Sequence, residues 1–210
     1  MNKTKHTSYQ IPKNSIFYQE VIKKSRFIVH IGHTPDVKSA KEYIAGVRSK
    51  YSDAGHHCWA HVAGEPGGSH MLGFSDDGEP NGTAGKPMLN VLMGSGIGEI
   101  TAVVTRYFGG IKLGTGGLVR AYGGSLNHAM DELLTTERIP ETLIEGTSDY
   151  SQQSIIEQEL AAFNIINIGK DYKENISWKI ILDSREAAQV IAIIFDKTSG
   201  RVQFELPDDL

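Results

Sequence analysis

The pattern of apolar and polar positions predicts alternating strands and helices over the first two thirds of the chain. The predicted strands are residues 16–18 with 21–22, 26–31, 57–63, 71–74 and 100–108. The predicted helices run from Pro35 and Asp36 to near Tyr51, over residues 87–93, and over residues 118–134. Apolar residues occupy both faces of the 100–108 segment, which is typical of a buried central strand.

After residue 135 the pattern changes. Residues 136–141, which include Pro140, are predicted to form a linker. Beyond it we expect a strand, a helix, two strands, a helix and a strand, at 143–150, 152–163, 165–172, 176–182, 185–196 and 202–206. This β-α-β-β-α-β order is typical of a ferredoxin-like domain. The sequence therefore predicts an α+β protein with domains at 1–137 and 138–210, and the second domain, which carries no motif with chemistry, is interpreted as a docking or structural module.

Composition narrows the class of protein. The 210 residues are 40% hydrophobic and 22% charged, which is enough apolar material for folded cores. The single cysteine, Cys58, excludes an intramolecular disulfide framework. The basic N-terminus lacks the apolar core of a secretory signal, and the longest apolar run, 190–195, is too short to cross a bilayer. We therefore expect a cytoplasmic protein without membrane association.

Charge is distributed unevenly. The first fifty residues carry ten Lys or Arg and three Asp or Glu, whereas residues 139–210 carry six and thirteen. Such a division allows one end of the chain to meet a polyanion that the other end repels. Surface solubility alone explains the same numbers, and the sequence leaves both explanations open.

A glycine-rich segment follows the predicted central strand and leads into a helix. Strand, glycine loop and helix N-terminus together form a plausible anion-binding site, because backbone N–H groups and the helix dipole favour negative charge. The segment between residues 100 and 130 contains basic residues and no acidic one. The candidate anion- or nucleic-acid-binding residues are Arg106, Tyr107, Gly109, Gly110, Lys112, Gly114, Gly116, Gly117 and Arg120. The alternative is a tight connection whose glycines only permit close packing.

An acidic turn precedes this segment. Its carboxylates, with a nearby histidine, are a second candidate site, consisting of His57, Asp76, Asp77 and Glu79. Carboxylates this close in sequence bind Mg²⁺ or Ca²⁺ or act as an acid/base pair in some proteins. A structural turn explains the same residues, with Arg106 pairing one of the acids. Cys58 lacks CxxC spacing for zinc and is interpreted as a buried structural cysteine.

Taken together, these motifs resemble the IMPACT/YigZ family. The resemblance covers about residues 15–135 and is carried by His56-His57-Cys58, Ser75-Asp76-Asp77-Gly78-Glu79-Pro80, Gly82-Thr83-Ala84-Gly85-Lys86-Pro87 and Val104-Thr105-Arg106-Tyr107-Phe108-Gly109-Gly110 with Leu113-Gly114. From Gly85 to Gly114 the family's spacing is reproduced without a gap. The remaining residues resemble the smaller C-terminal domain of bacterial members by pattern and length.

The resemblance implies a first domain of the ribosomal-protein-like fold found in domain IV of elongation factor G, followed by a ferredoxin-like domain. Eukaryotic relatives regulate translation by competing for the activator of a kinase that restrains initiation. They do so with an additional N-terminal domain that these residues do not include, so that partner is not transferred. The family supplies no established catalytic residues.

The leading hypothesis is a non-enzymatic protein that binds RNA or the ribosome and modulates translation, without metal or cofactor. The main objection is the chain's overall acidity, a formal net charge of −4. A first alternative is a metal-dependent hydrolase of a phosphorylated small molecule, with the acidic turn holding the metal. A second is a protein-interaction regulator without RNA affinity.

Overall fold

The computed structural model describes residues 8–68 and 71–206. Contacts divide them into two compact units, one of residues Tyr9–Arg138 and one of Ser8 with residues 139–206. Each unit has its own buried apolar cluster.

The strands of the first unit are β1 (Tyr9–Pro12), β2 (Ile16–Ile22), β3 (Ser25–His33), β4 (His56–Val62), β5 (Leu72–Ser75), β6 (Ile100–Tyr107) and β7 (Thr135–Arg138). Five of them form one antiparallel sheet in the order β2-β3-β6-β4-β5. The helices of this unit are α1 (Val37–Lys50), α2 (Gly85–Ser95) and α3 (Thr115–Asp131). Strands β1 and β7 form a separate antiparallel pair.

Helices cover both faces of the five-stranded sheet. Along β6, Ala102 and Val104 belong to the main core, where α2 and α3 pack. The intervening Val103 contacts Ile44 and Val47 of α1 in a smaller cluster. Because successive strand residues face opposite sides, α1 lies on the face opposite α2 and α3. This arrangement explains why β6 is apolar on both faces and confirms its predicted place as a buried central strand.

The second unit has the predicted β-α-β-β-α-β order. Its elements are β8 (Glu141–Ser148), α4 (Gln153–Leu160), β9 (Ile165–Tyr172), β10 (Ile176–Asp183), α5 (Ala187–Lys197) and β11 (Phe204–Glu205). The four strands form an antiparallel sheet in the order β11-β8-β10-β9. Its core includes Trp178, whose indole N–H donates to Ser148 Oγ at 2.8 Å. The mixed α+β class expected from the sequence is confirmed.

Residues 16–18 and 21–22 form one strand, as predicted, and the polar Gln19 and Glu20 between them are exposed or partly exposed. Several other predicted boundaries were wrong. Residues 136–138 belong to β7 rather than to a linker. Helix α3 begins at Thr115, three residues before its predicted start, because its first turn consists of small residues with little apolar signal. The pattern did not predict β1.

Candidate functional site

A tight turn between β2 and β3 presents two adjacent lysines. Lys23 and Lys24 have φ values of 45° and 67°, and Ile22 pairs with Ser25 across the turn. Positive φ at both central positions is the geometry of a type I′ hairpin, which usually requires Asn-Gly or another glycine-containing pair. Two lysines here are conformationally costly, and backbone strain of this kind concentrates at functional sites.

The lysine turn lies directly against the glycine loop that follows β6. A Cβ placed on Gly109 would come within 2.0 Å of the Lys24 carbonyl carbon and oxygen, so only glycine allows this approach. The Gly109 N–H donates to Ser25 Oγ at 3.2 Å. Two basic segments that are distant in sequence therefore meet where neighbouring strands of the sheet end.

Helix α3 begins beside this junction with free backbone donors. Its N-cap residue, Gly114, has φ of 75°, and among the described residues no side chain caps the helix. The first intrahelical bond runs from the Leu118 N–H to the Gly114 carbonyl at 2.9 Å. The N–H groups of the first turn consequently point out of the helix, where the helix dipole favours an anion.

A cleft of about 380 Å³ opens at this helix N-terminus. It is lined by Glu79, Pro80, Arg106, Phe108, Lys112, Leu113, Gly114, Thr115 and Leu118. A smaller cleft of about 180 Å³ shares Leu113 and is lined also by Lys23, Gly117 and Arg120. The shared wall makes the two clefts neighbours on the same surface.

Four cations on this surface are available for an external anion. They are Lys23, Lys24, Lys112 and Arg120, which we call the basic surface. All four side chains are exposed, and none forms an ion pair with another residue in the described ranges 8–68 and 71–206. Their positions on a turn, a loop and a helix give this unit a positive patch.

A buried polar network closes the inner end of the larger cleft. Arg106 is only 5% exposed and donates to Glu79 Oε1 at 2.6 Å. Tyr122 donates to the same oxygen at 2.7 Å, and Arg106 also reaches Ser25 Oγ at 3.3 Å. Burial, followed by the neighbouring Cys58 and Glu79, raises the pKa of Tyr122 far above its usual range. The pairing of Arg106 with one acid of the turn, expected from the sequence, is confirmed.

Asp76 acts as a structural cap. Its carboxylate accepts the backbone N–H groups of Gly82, Ala84 and Gly85, each at 2.9 Å, where α2 begins. Burial raises the pKa of Asp76, but these three donors outweigh it and the net direction is downward. The carboxylate therefore satisfies helix donors that have no intrahelical partner.

Asp77 is engaged on the opposite face of the sheet. Its carboxylate accepts from the Arg48 guanidinium of α1 and from the His57 N–H, the latter at 2.7 Å. The His57 ring is buried, with Nε2 at 2.9 Å from the Tyr51 carbonyl. Asp76, Asp77 and Glu79 thus point to three different sets of partners and do not converge. Within the described parts of the chain, no group of three or more His, Cys, Asp or Glu has the geometry to hold a metal ion.

Cys58 is buried beneath the acidic turn, as the sequence predicted. Its Sγ donates to the Asp76 carbonyl at 3.0 Å, and burial raises the pKa of the thiol to about 12. A thiol in this state is a poor nucleophile, because the reactive form is the thiolate.

The structure brings together most of the predicted anion site, but not all of it. Tyr107 lies on the face of the sheet that α1 covers. Its hydroxyl donates to Asp53 at 2.6 Å, and the centre of its ring lies 4.3 Å from the guanidinium carbon of Arg26. That hydrogen bond raises the pKa of Tyr107. Sequence reasoning missed Lys23 and Lys24 as site residues. The signal available was the three-residue gap, 23–25, between predicted strands, which identifies a hairpin but not the loop that it touches.

No helix within residues 8–68 and 71–206 is long and apolar enough to cross a membrane.

Comparison with known proteins gives a consistent result. The Impact N-terminal domain model matches residues 23–130. The IMPACT family member YigZ of Escherichia coli K12 is 48% identical over 196 residues, covering 93% of this chain and 96% of that protein. The family member YvyE of Bacillus subtilis 168 is 37% identical over 194 residues, covering 92% and 88%. A crystal structure of a hypothetical protein, 46% identical, has a TM-score of 0.74 and covers 97% of this chain and 98% of its own. The chain belongs to the IMPACT family.

Proposed function

We propose that this protein binds RNA, free or within the ribosome, through the basic surface and modulates translation in the cytoplasm without catalysing a reaction. The observation that carries the proposal is the contact between the Lys23-Lys24 turn and the glycine loop, which gathers unpaired cations around an uncapped helix N-terminus. RNA offers a row of phosphates, and Lys and Arg contacts to phosphates dominate such binding.

The charge distribution of the chain supports binding of RNA to the first unit rather than to the second. Residues 139–210 carry a large acidic excess, whereas the basic surface lies within residues 9–138. A polyanion is therefore attracted to one unit and repelled by the other. The resemblance implies that eukaryotic relatives regulate translation, and for this reason we place the RNA partner in that process.

A salt titration tests the proposal. Binding of a fluorescein-labelled single-stranded RNA is measured by anisotropy at several salt concentrations, for the wild type and for a variant with Lys23, Lys24, Lys112 and Arg120 all changed to Gln. If all four contact phosphates, the logarithm of the association constant falls with the logarithm of salt with a slope near −3, since each contact contributes about −0.7. The variant loses most of this slope.

A matched control separates local contacts from net charge. The variant Lys38→Gln/Lys41→Gln removes two exposed cations from α1 and is expected to leave the slope nearly unchanged. Absence of RNA binding at low salt, or an equal slope for all variants, would contradict the proposal. Retention of a protein partner by the same preparation would then favour an interaction regulator.

A further inference from the structure

We infer that the larger cleft receives one unstacked nucleotide of a single RNA strand, with its base against Phe108 and its phosphate at the N-terminus of α3. This inference rests on the proposed function and specifies the form of RNA that the site takes. The residues that line the cleft define two environments, an apolar and hydrogen-bonding interior and a cationic rim.

Phe108 provides the first argument. It directly follows the buried strand β6 and yet is 59% exposed, on the wall of the cleft. Its ring lies 5.6 Å from the Arg106 guanidinium carbon, and Pro80, Leu113 and Leu118 line the same cleft. An exposed aromatic ring beside unpaired cations is the usual platform for an unstacked base, because every base has a π face.

Arg106 provides the second argument. Its side chain is more than nine-tenths buried and lines the cleft, and its Nε–H has no hydrogen-bond partner among the described residues. An unpaired donor at this depth is unusual in a folded protein. A carbonyl oxygen or ring nitrogen on the edge of a base supplies the missing acceptor once the Arg106 side chain turns toward the cleft, because Nε itself is enclosed in this structure.

The charges in the cleft set the orientation of the nucleotide. At the inner end Glu79 neutralises Arg106 and would repel a phosphate. At the rim Lys112 is exposed, and the N–H groups of Thr115 and its neighbours begin α3 without a cap. The uncharged base therefore enters and the phosphate remains at the rim, which places the strand along the basic surface.

This geometry predicts a preference for single strands over duplexes. A base in a duplex is stacked and paired, so extruding it into the cleft costs a few kcal/mol. Phosphate contacts alone would not favour the single strand, because a duplex has the higher charge density.

The test compares a short single-stranded RNA with the duplex that it forms with its complement, using anisotropy at one low salt concentration. Phe108→Leu is expected to weaken single-strand binding by about fivefold to a hundredfold, the range for loss of one base–aromatic stack. Phe108→Tyr keeps the ring and is expected to restore binding. Phe17→Leu, which removes an exposed ring from β2, serves as the matched control.

The outcomes separate the two proposals. Equal affinity for single strand and duplex, or an unchanged affinity in Phe108→Leu, would overturn this inference while leaving RNA binding intact. Failure of the wild type to bind either RNA would overturn the proposed function itself. Circular dichroism and urea denaturation of each variant establish that a loss of binding does not come from unfolding.

Discussion

The acidic turn and the glycine loop are similar in sequence but opposite in structure. Both combine charged residues with closely spaced glycines. In the turn each carboxylate is engaged by internal partners, from the start of α2, from α1 and from β6. In the loop Lys112 is exposed and forms no ion pair with any described residue. The difference shows that charged, glycine-rich segments become sites only where the fold leaves their charges unpaired.

The largest effect is expected from breaking the buried ion pair of the acidic turn. Glu79→Leu leaves the Arg106 charge buried without a counterion and is expected to reduce the free energy of unfolding by about 3–5 kcal/mol. The measurement is urea denaturation followed by Trp59 emission in a Trp178→Phe background. The double variant Glu79→Leu/Arg106→Met removes both charges and is expected to recover much of this loss.

The loop provides the contrast for that experiment. Lys112→Gln changes an exposed and unpaired cation and is expected to alter stability by less than about 0.5 kcal/mol. Equal losses for Glu79→Leu and Lys112→Gln, or additive losses in the double variant, would show that the two regions do not differ as described.

A smaller effect is expected from removing the cap of α2. Asp76→Ala deletes an acceptor of three backbone N–H groups and is expected to lower the free energy of unfolding by about 2–3 kcal/mol. The matched control is Asp36→Ala at the start of α1, where the carboxylate accepts from the Ser39 N–H, with an expected loss of about 1 kcal/mol. A larger loss for Asp36 than for Asp76 would contradict this assignment.

The same carboxylate predicts a dependence on pH. The pKa of Asp76 is lowered in the folded state below its ordinary value of 3.8. The unfolded chain therefore takes up the proton first, and the stabilisation is complete above about pH 4 and is lost as pH falls through the lowered pKa. Denaturation of the wild type and of Asp76→Ala at neutral and acid pH is expected to show convergence of their stabilities under acid conditions.

The smallest effect is expected at the lysine turn, and it has the opposite sign. Replacing Lys23-Lys24 by Asn-Gly suits the positive φ values and is expected to raise the free energy of unfolding by about 1 kcal/mol. The same change removes two cations of the basic surface and is expected to weaken RNA binding and reduce its salt slope. A variant that is both less stable and equally competent in binding would remove the functional explanation for the strained turn.

The elements were more predictable from sequence than the site. The spacing of Ala40, Ile44 and Val47 identified α1, and the apolar faces of β6 identified its central position, because burial follows periodicity. The partners of Asp76, and which acid of the turn pairs with Arg106, were not predictable in the same way. Both partner sets depend on how the turn folds back on α2 and β6, and residue types do not encode that path.

The cations of the basic surface were also only partly predictable from the sequence. Lys112 and Arg120 were recognised because they follow a strand and a glycine loop along the chain. Lys23 and Lys24 were missed because their relation to that loop exists only after β3 pairs with β6. The similarity of the first domain to domain IV of elongation factor G stays an expectation of the family resemblance.

The close approach at Gly109 makes the basic surface sensitive to the addition of a single carbon atom at that position. The Cβ of any other amino acid at this position would overlap the main chain of Lys24 and force the β2–β3 hairpin away from the glycine loop. An alanine there would alter no charge and remove no cation, yet it would move the Lys23-Lys24 turn away from the other cations of the basic surface. Affinity for a polyanion therefore depends on the absence of a side chain at Gly109 as much as on any lysine of the basic surface.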